Sequence, residues 1–123
     1  MWVSVNGKLI QTTDNSRTKF RTNISRSVIN DLNEVAANNN THINYLIESG
    51  LQNVLSKGYI SFNKELRPTD RVQYKTTYDK DLLDKVKEFA KNHDLFINDV
   101  IEYSVNFVDV EKAKKSNYKH RIE

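Results

Sequence analysis

Laid against itself, the sequence repeats. Thr18-Lys19-Phe20-Arg21-Thr22-Asn23-Ile24-Ser25 falls over Val72-Gln73-Tyr74-Lys75-Thr76-Thr77-Tyr78-Asp79, and the register continues without a gap. It sets Glu34 over Glu88, Ala36 over Ala90, Asn38 over Asn92, Ile43-Asn44 over Ile97-Asn98, Ile47-Glu48 over Ile101-Glu102 and Val54 over Val108. A duplication of this length means that one supersecondary unit is used twice, so the fold problem reduces to one unit and the way its two copies meet.

Each copy opens with strict alternation. Phe20, Thr22 and Ile24 share one face against Lys19, Arg21 and Asn23, and Tyr74, Thr76 and Tyr78 oppose Gln73, Lys75 and Thr77. That is the pattern of a short strand with one wet face. Ser25 and Asp79 then stand where a helix N-cap belongs. Apolar residues follow at helical spacing: Val28, Leu32, Val35 and Ala36 in the first copy, Leu82, Val86, Phe89 and Ala90 in the second. Asn38-Asn39-Asn40 and Asn92-His93-Asp94 interrupt the pattern with residues that tolerate a left-handed turn. A second helix is predicted beyond each turn, with a stripe of Ile43, Leu46, Ile47, Leu51 and Val54, and of Ile97, Val100, Ile101, Val105 and Val108.

One strand-helix-helix unit has an unpaired strand edge and too few apolar residues to close a core. Two units solve both problems if their strands pair antiparallel and their four helices share one core. The stretch from Ser56 to Arg71, with Gly58 and the only proline, Pro68, is long enough at about 3.4 Å per residue to join them within one chain. The expected fold is therefore mainly α with a short antiparallel β-ribbon. The expected division is a hairpin-like extension over 1–17, a first unit over 18–57, a linker over 58–71, a second unit over 72–111 and a basic tail over 112–123. In the extension, Asn6-Gly7 between short apolar runs is a hairpin signal, with Trp2 available to lie on the core. The tail carries Lys112, Lys114, Lys115, Lys119, His120 and Arg121, suited to phosphate attraction or simply to a solvated helix end.

The order strand, N-cap, helix, turn, helix, with Ser25-Arg26-Ser27-Val28 after the first strand and His42-Ile43-Asn44 and Phe96-Ile97-Asn98 opening the second helices, resembles the ribbon-helix-helix family of DNA-binding proteins, the Arc, MetJ and CopG group. The resemblance covers Thr18 to about Lys57 and Val72 to about Glu111. It implies an intramolecular ribbon-helix-helix pseudo-dimer whose β-ribbon enters the major groove of double-stranded DNA, with Lys19, Arg21, Asn23, Gln73, Lys75 and Thr77 facing base edges. Their chemistry suits that role, since Arg and Lys donate to guanine, Asn and Gln pair with adenine, and Thr offers a hydroxyl and a methyl group. The alternative is a solvated strand face. The resemblance also places the second-helix starts, His42, Ile43 and Asn44, and Ile97 and Asn98, against phosphates, with helix capping as the other use of Asn44 and Asn98. Where the family often has glycine in the helix-helix turn, this chain has Asn40 and Asp94. The second copy also has one ribbon cation, Lys75, against Lys19 and Arg21, so the halves are expected to be unequal and the bases read to be non-palindromic.

Composition fits this and decides little by itself. The net charge of +3 is mild, and with Cys 0 there is no disulfide and no thiolate metal site. No apolar run reaches the length of a membrane span, so the expected setting is cytoplasmic and nucleoid-associated, away from any membrane. No cofactor and no enzymatic activity are expected: there is no phosphate loop or nucleophile motif, and the carboxylates fall on helix surfaces that read as solvated faces. The expected function is transcriptional repression by operator occupancy, with further copies of the chain on adjacent sites as possible partners. The alternatives are an accessory role in plasmid or conjugative DNA processing, to whose TraY-like tandem organisation this chain is similar, and an antitoxin-type protein-interaction module.

Overall fold

Ser25 and Asp79 cap the helices that follow them: the Ser25 hydroxyl oxygen accepts the Val28 N–H at 3.4 Å, and Asp79 Oδ2 accepts the Leu82 N–H at 2.9 Å. A side-chain acceptor there satisfies one of the first-turn donors that a helix leaves open, which fixes where strand ends and helix begins. The computed structural model describes residues 2–5, 8–11 and 16–121, with side chains from 16 to 115. Its elements in chain order are β1 (Trp2–Val5), β2 (Lys8–Gln11), β3 (Arg17–Ser25), α1 (Arg26–Asn38), α2 (Ile43–Lys57), β4 (Arg71–Asp79), α3 (Lys80–Asn92), α4 (Ile97–Ser104) and α5 (Val110–Arg121), with short 3₁₀ turns at Lys64–Leu66 and Val105–Phe107. The left-handed residues expected between paired helices are Asn40, at φ 53°, and Asp94, at φ 54°.

β3 and β4 pair antiparallel along their whole length, from Arg17 opposite Asp79 to Ser25 opposite Arg71. The register is symmetric in the repeat. Arg21 lies opposite Lys75, its own counterpart, and Lys19 opposite Thr77 is matched by Gln73 opposite Asn23. A second coincidence of counterparts occurs where α2 crosses α4: a Cβ on Gly50 would lie 2.2 Å from the carbonyl oxygen of Ser104, so glycine is what lets the two helices touch.

The core lies between the inner ribbon face and the helices. Ile24 and Tyr78 come from the strands, Leu32 and Ala36 from α1, Ile43, Leu46, Ile47, Leu51 and Val54 from α2, Leu82, Val86, Phe89 and Ala90 from α3, and Val100 and Ile101 from α4. Full burial of each large aliphatic side chain contributes about 1.5–3 kcal/mol. Val28, Val35 and Ile97 pack against this cluster but stay half-buried.

Three expectations need correction. The second helix of the second copy stops at Ser104, so Val105 sits in a 3₁₀ turn and Val108 outside any helix. From there the chain turns back, and α5 packs on α2 with Ala113 fully buried, so part of the stretch read as a basic tail belongs to the core. The acids of α2 and α4 are not all on solvated faces either: Glu48, Asp99 and Glu102 are buried. In the extension β1 and β2 pair antiparallel with Val5 opposite Lys8. The turn Asn6-Gly7 and the side chain of Trp2 lie outside the described residues.

Candidate nucleic-acid interface

Alternation along β3 and β4 brings the six ribbon residues singled out from the sequence onto one face, in three cross-strand rows: Lys19 with Thr77, Arg21 with Lys75, and Asn23 with Gln73. Five of them are exposed. Thr77 is half-buried, because its hydroxyl oxygen accepts from Arg17 Nε at 3.3 Å and Asn44 Nδ2 at 3.4 Å. No carboxylate occurs within the three rows, and the central row sets two cations directly opposite one another. Like charges in that position destabilise a strand pair, so the face is electrostatically better suited to an anionic or acceptor-rich partner than to water.

The starts of α2 and α4 flank the ribbon, and each is tied to it. Asn44 Nδ2 donates to the Thr77 carbonyl at 3.2 Å, and its counterpart Asn98 Nδ2 donates to the Asn23 carbonyl, Thr77's counterpart, at 3.1 Å. Each second helix is thus clipped to the strand of the other copy. Sequence reasoning offered phosphate contact or helix capping for these two residues; the observed donors go to the ribbon backbone, while Asn44 Oδ1 accepts the Tyr45 N–H at 3.0 Å. Ile43 is buried and Ile97 half-buried, so what they offer an anion is backbone N–H at a helix N-terminus, where the dipole is positive. His42 is exposed beside an open cleft of about 390 Å³ lined by Asn33, Asn44, Tyr45, Tyr74 and Thr76. Its counterpart Phe96 is 60% exposed, with the Arg67 guanidinium 4.5 Å from its ring centroid.

Beneath the flanks lies a polar network that the apolar periodicity does not reveal. Arg17 pairs with buried Glu48, whose Oε1 also accepts the Asp79 N–H at 3.2 Å. In the counterpart positions Arg71 pairs with Glu102, whose Oε2 accepts the Ser25 N–H at 2.7 Å. A carboxylate from each second helix therefore holds the N-cap residue of the other copy. Arg67 and Arg71 both donate to Asp99, at 2.8 Å and 2.7 Å. Burial pushes the Asp99 carboxyl up, but the hydrogen bonds from Arg67 and Arg71 outweigh it and hold it below the usual range. The hydrogen bonds that Arg71 donates to Glu102 hold its guanidinium above the ordinary arginine range. The same-register signal, Arg17 over Arg71 and Glu48 over Glu102, was present in the sequence.

The chain matches no family profile, no curated protein and no solved structure in comparisons with each.

The two flanks differ in charge. At the start of α4, Asp94 is paired with Lys64 at 3.0 Å, and Arg67 is already committed to Asp99. At the start of α2, Asn40 takes the place of Asp94 and exposed His42 that of Phe96. The first-copy flank thus presents less negative charge to a partner.

Proposed function

We propose that the chain is an intramolecular ribbon-helix-helix pseudo-dimer that binds double-stranded DNA in a sequence-specific manner, with β3 and β4 in the major groove, and that it acts as a transcriptional repressor by occupying its operator. The observation that carries this reading is the exposed ribbon face: three rows of donors, with Lys19, Arg21 and Lys75 as cations and no carboxylate among them. A two-stranded ribbon fits the major groove, about 12 Å wide, and these side chains match the acceptors it displays. Arg21 and Lys75 suit guanine O6 and N7 at the centre, and Asn23 and Gln73 suit adenine at one end. Lys19 at the other end stands beside Thr77, whose hydroxyl is engaged by Arg17 and Asn44. The three rows differ, so the bases they face need no two-fold symmetry. Phosphates on either side would meet the N-termini of α2 and α4, held at the ribbon by Asn44 and Asn98.

The test is selection of bound duplexes from a random pool at moderate salt, for the wild type and for a variant with Lys19, Arg21, Gln73 and Lys75 all changed to Ala. A short non-palindromic motif enriched by the wild type alone is expected. Equal enrichment by both proteins removes the ribbon as the reading surface, and enrichment by neither removes DNA as the partner.

A further inference from the structure

The last helix has no counterpart in the first copy, and its direction is fixed by its contacts with α2. The Asn53 amide donates to the Phe107 carbonyl at 2.7 Å, the Asp109 N–H to the Ser49 hydroxyl at 2.9 Å, and the Thr41 hydroxyl to the Ala113 carbonyl at 3.1 Å. As the chain advances from 107 to 113 it moves back along α2 from 53 to 41, so α5 runs antiparallel to α2. Ala113, fully buried, brings it level with the start of α2. The helix continues to Arg121, and at 1.5 Å per residue the stretch from Lys114 onward carries the backbone about 12 Å past that point.

That overhang is cationic in sequence, with Lys114, Lys115, Lys119 and Arg121 and no acid. The one carboxylate of the helix, Glu111, lies behind it and meets Lys114 at 3.6 Å, too exposed a pair to neutralise the segment. Such charge at a helix C-terminus also offsets the negative end of the dipole, which leaves the end of α5 able to approach an anion.

We infer that the overhanging half of α5 is a second DNA contact, sequence-independent and one-sided, which grips the phosphate backbone beyond the ribbon on the flank served by the start of α2. The inference rests on the DNA-binding reading above and adds to it a direction. The ribbon selects the site, and α5 extends the contact at the Lys19–Thr77 end, where the α2 N-terminus is clipped to Thr77. Among the described residues the other end has no equivalent helix, so the footprint is lopsided even where the bases are not.

The experiment uses the full chain on a duplex obtained by selection, comparing wild type with a variant carrying Lys114→Gln, Lys115→Gln, Lys119→Gln and Arg121→Gln. Each lost phosphate contact lowers the slope of log affinity against log salt by about 0.9, so a fall of roughly 2–4 is expected, with the preferred sequence unchanged and hydroxyl-radical protection lost on one flank only. Because the chain has no cysteine, Lys119→Cys and, separately, Asn33→Cys beside the start of α2 can carry a tethered iron chelate. Cuts from both on the same flank support the placement. An unchanged salt slope, or cuts from position 119 on the opposite flank or on neither, overturns it while leaving ribbon binding intact. A wild type that protects no duplex overturns both.

Discussion

Gly50 and Ser104, equivalent positions of the repeat, meet where α2 crosses α4, and the space between them excludes even a methyl group. Alanine at position 50 would gain up to about 1 kcal/mol of helix propensity. It would also place its Cβ against backbone rather than a yielding side chain, and overpacking of that kind costs roughly 1–3 kcal/mol. The expected result for Gly50→Ala is net destabilisation, measured by urea unfolding. An unchanged midpoint would mean that parting the helices costs no more than the helix propensity gained.

Arg21 and Lys75 face each other across the ribbon centre. A direct like-charge pair costs the free protein on the order of 0.2–1 kcal/mol, whereas a bidentate base contact by Arg21 is worth about 1–3 kcal/mol of binding. Arg21→Ala should therefore leave the melting temperature unchanged or slightly raised while specific affinity falls. Stability and recognition moving in opposite directions would be the signature; loss of both would show that Arg21 supports the fold.

Glu102 joins three parts of the molecule: it sits on α4, pairs with Arg71 at the start of β4, and accepts the N–H of Ser25 at the end of β3. Removing one partner of a buried pair costs about 3–5 kcal/mol. Because Arg71 reaches solvent at its edge, Glu102→Ala is expected at the lower end of that range, with Glu102→Gln milder since an amide oxygen can still accept from Ser25. Equal losses in the two variants would mean that the charge carries the whole contribution and that a neutral acceptor for the Ser25 N–H adds nothing.

Periodicity and caps made the strands, α1, α2, α3 and both turns legible, because each depends on local pattern: alternation before Ser25 and Asp79, helical spacing after them, left-handed residues at Asn40 and Asp94. The six ribbon residues were legible for the same reason, since alternation alone sorts a strand into faces. What escaped was set by contacts between the copies. The stripe of α4 runs on in sequence through Val105 and Val108, yet the helix ends at Ser104, and the 3₁₀ turn that follows and α5 beyond it both pack against α2. Glu48, Asp99 and Glu102 carry the polarity of a solvated face and are buried only because Arg17, Arg67 and Arg71 arrive from other elements to meet them. The amides of Asn44 and Asn98 read as capping or phosphate groups until the ribbon is in place to receive them.

Leu32, on α1, is almost fully buried in the shared core. Leu32→Ala should destabilise by roughly 2–5 kcal/mol through transfer and cavity terms, with affinity per folded molecule preserved. A melting temperature like that of the wild type would take this face of α1 out of the core.

Asp70, just before β4, gathers donors from the start of α1: the Ser27 hydroxyl at 2.7 Å, the Ser25 hydroxyl at 2.8 Å and the Ser27 N–H at 3.0 Å. These bonds, led by the Ser27 hydroxyl, lower its pKa to about 2. A carboxylate depressed in the folded state binds its proton more readily once the chain unfolds. Its contribution is therefore fully present above the ordinary carboxylate range and disappears as pH falls through the folded value. Asp99, depressed by Arg67 and Arg71, acts in the same direction. In Asp70→Asn the melting temperature should fall below that of the wild type at pH 6, and the gap should narrow as pH is lowered from about 4 toward 2, where the wild-type carboxyl is protonated as well. A gap of constant size over that interval would assign the contact's value to hydrogen-bond geometry alone and remove Asp70 as a source of acid sensitivity.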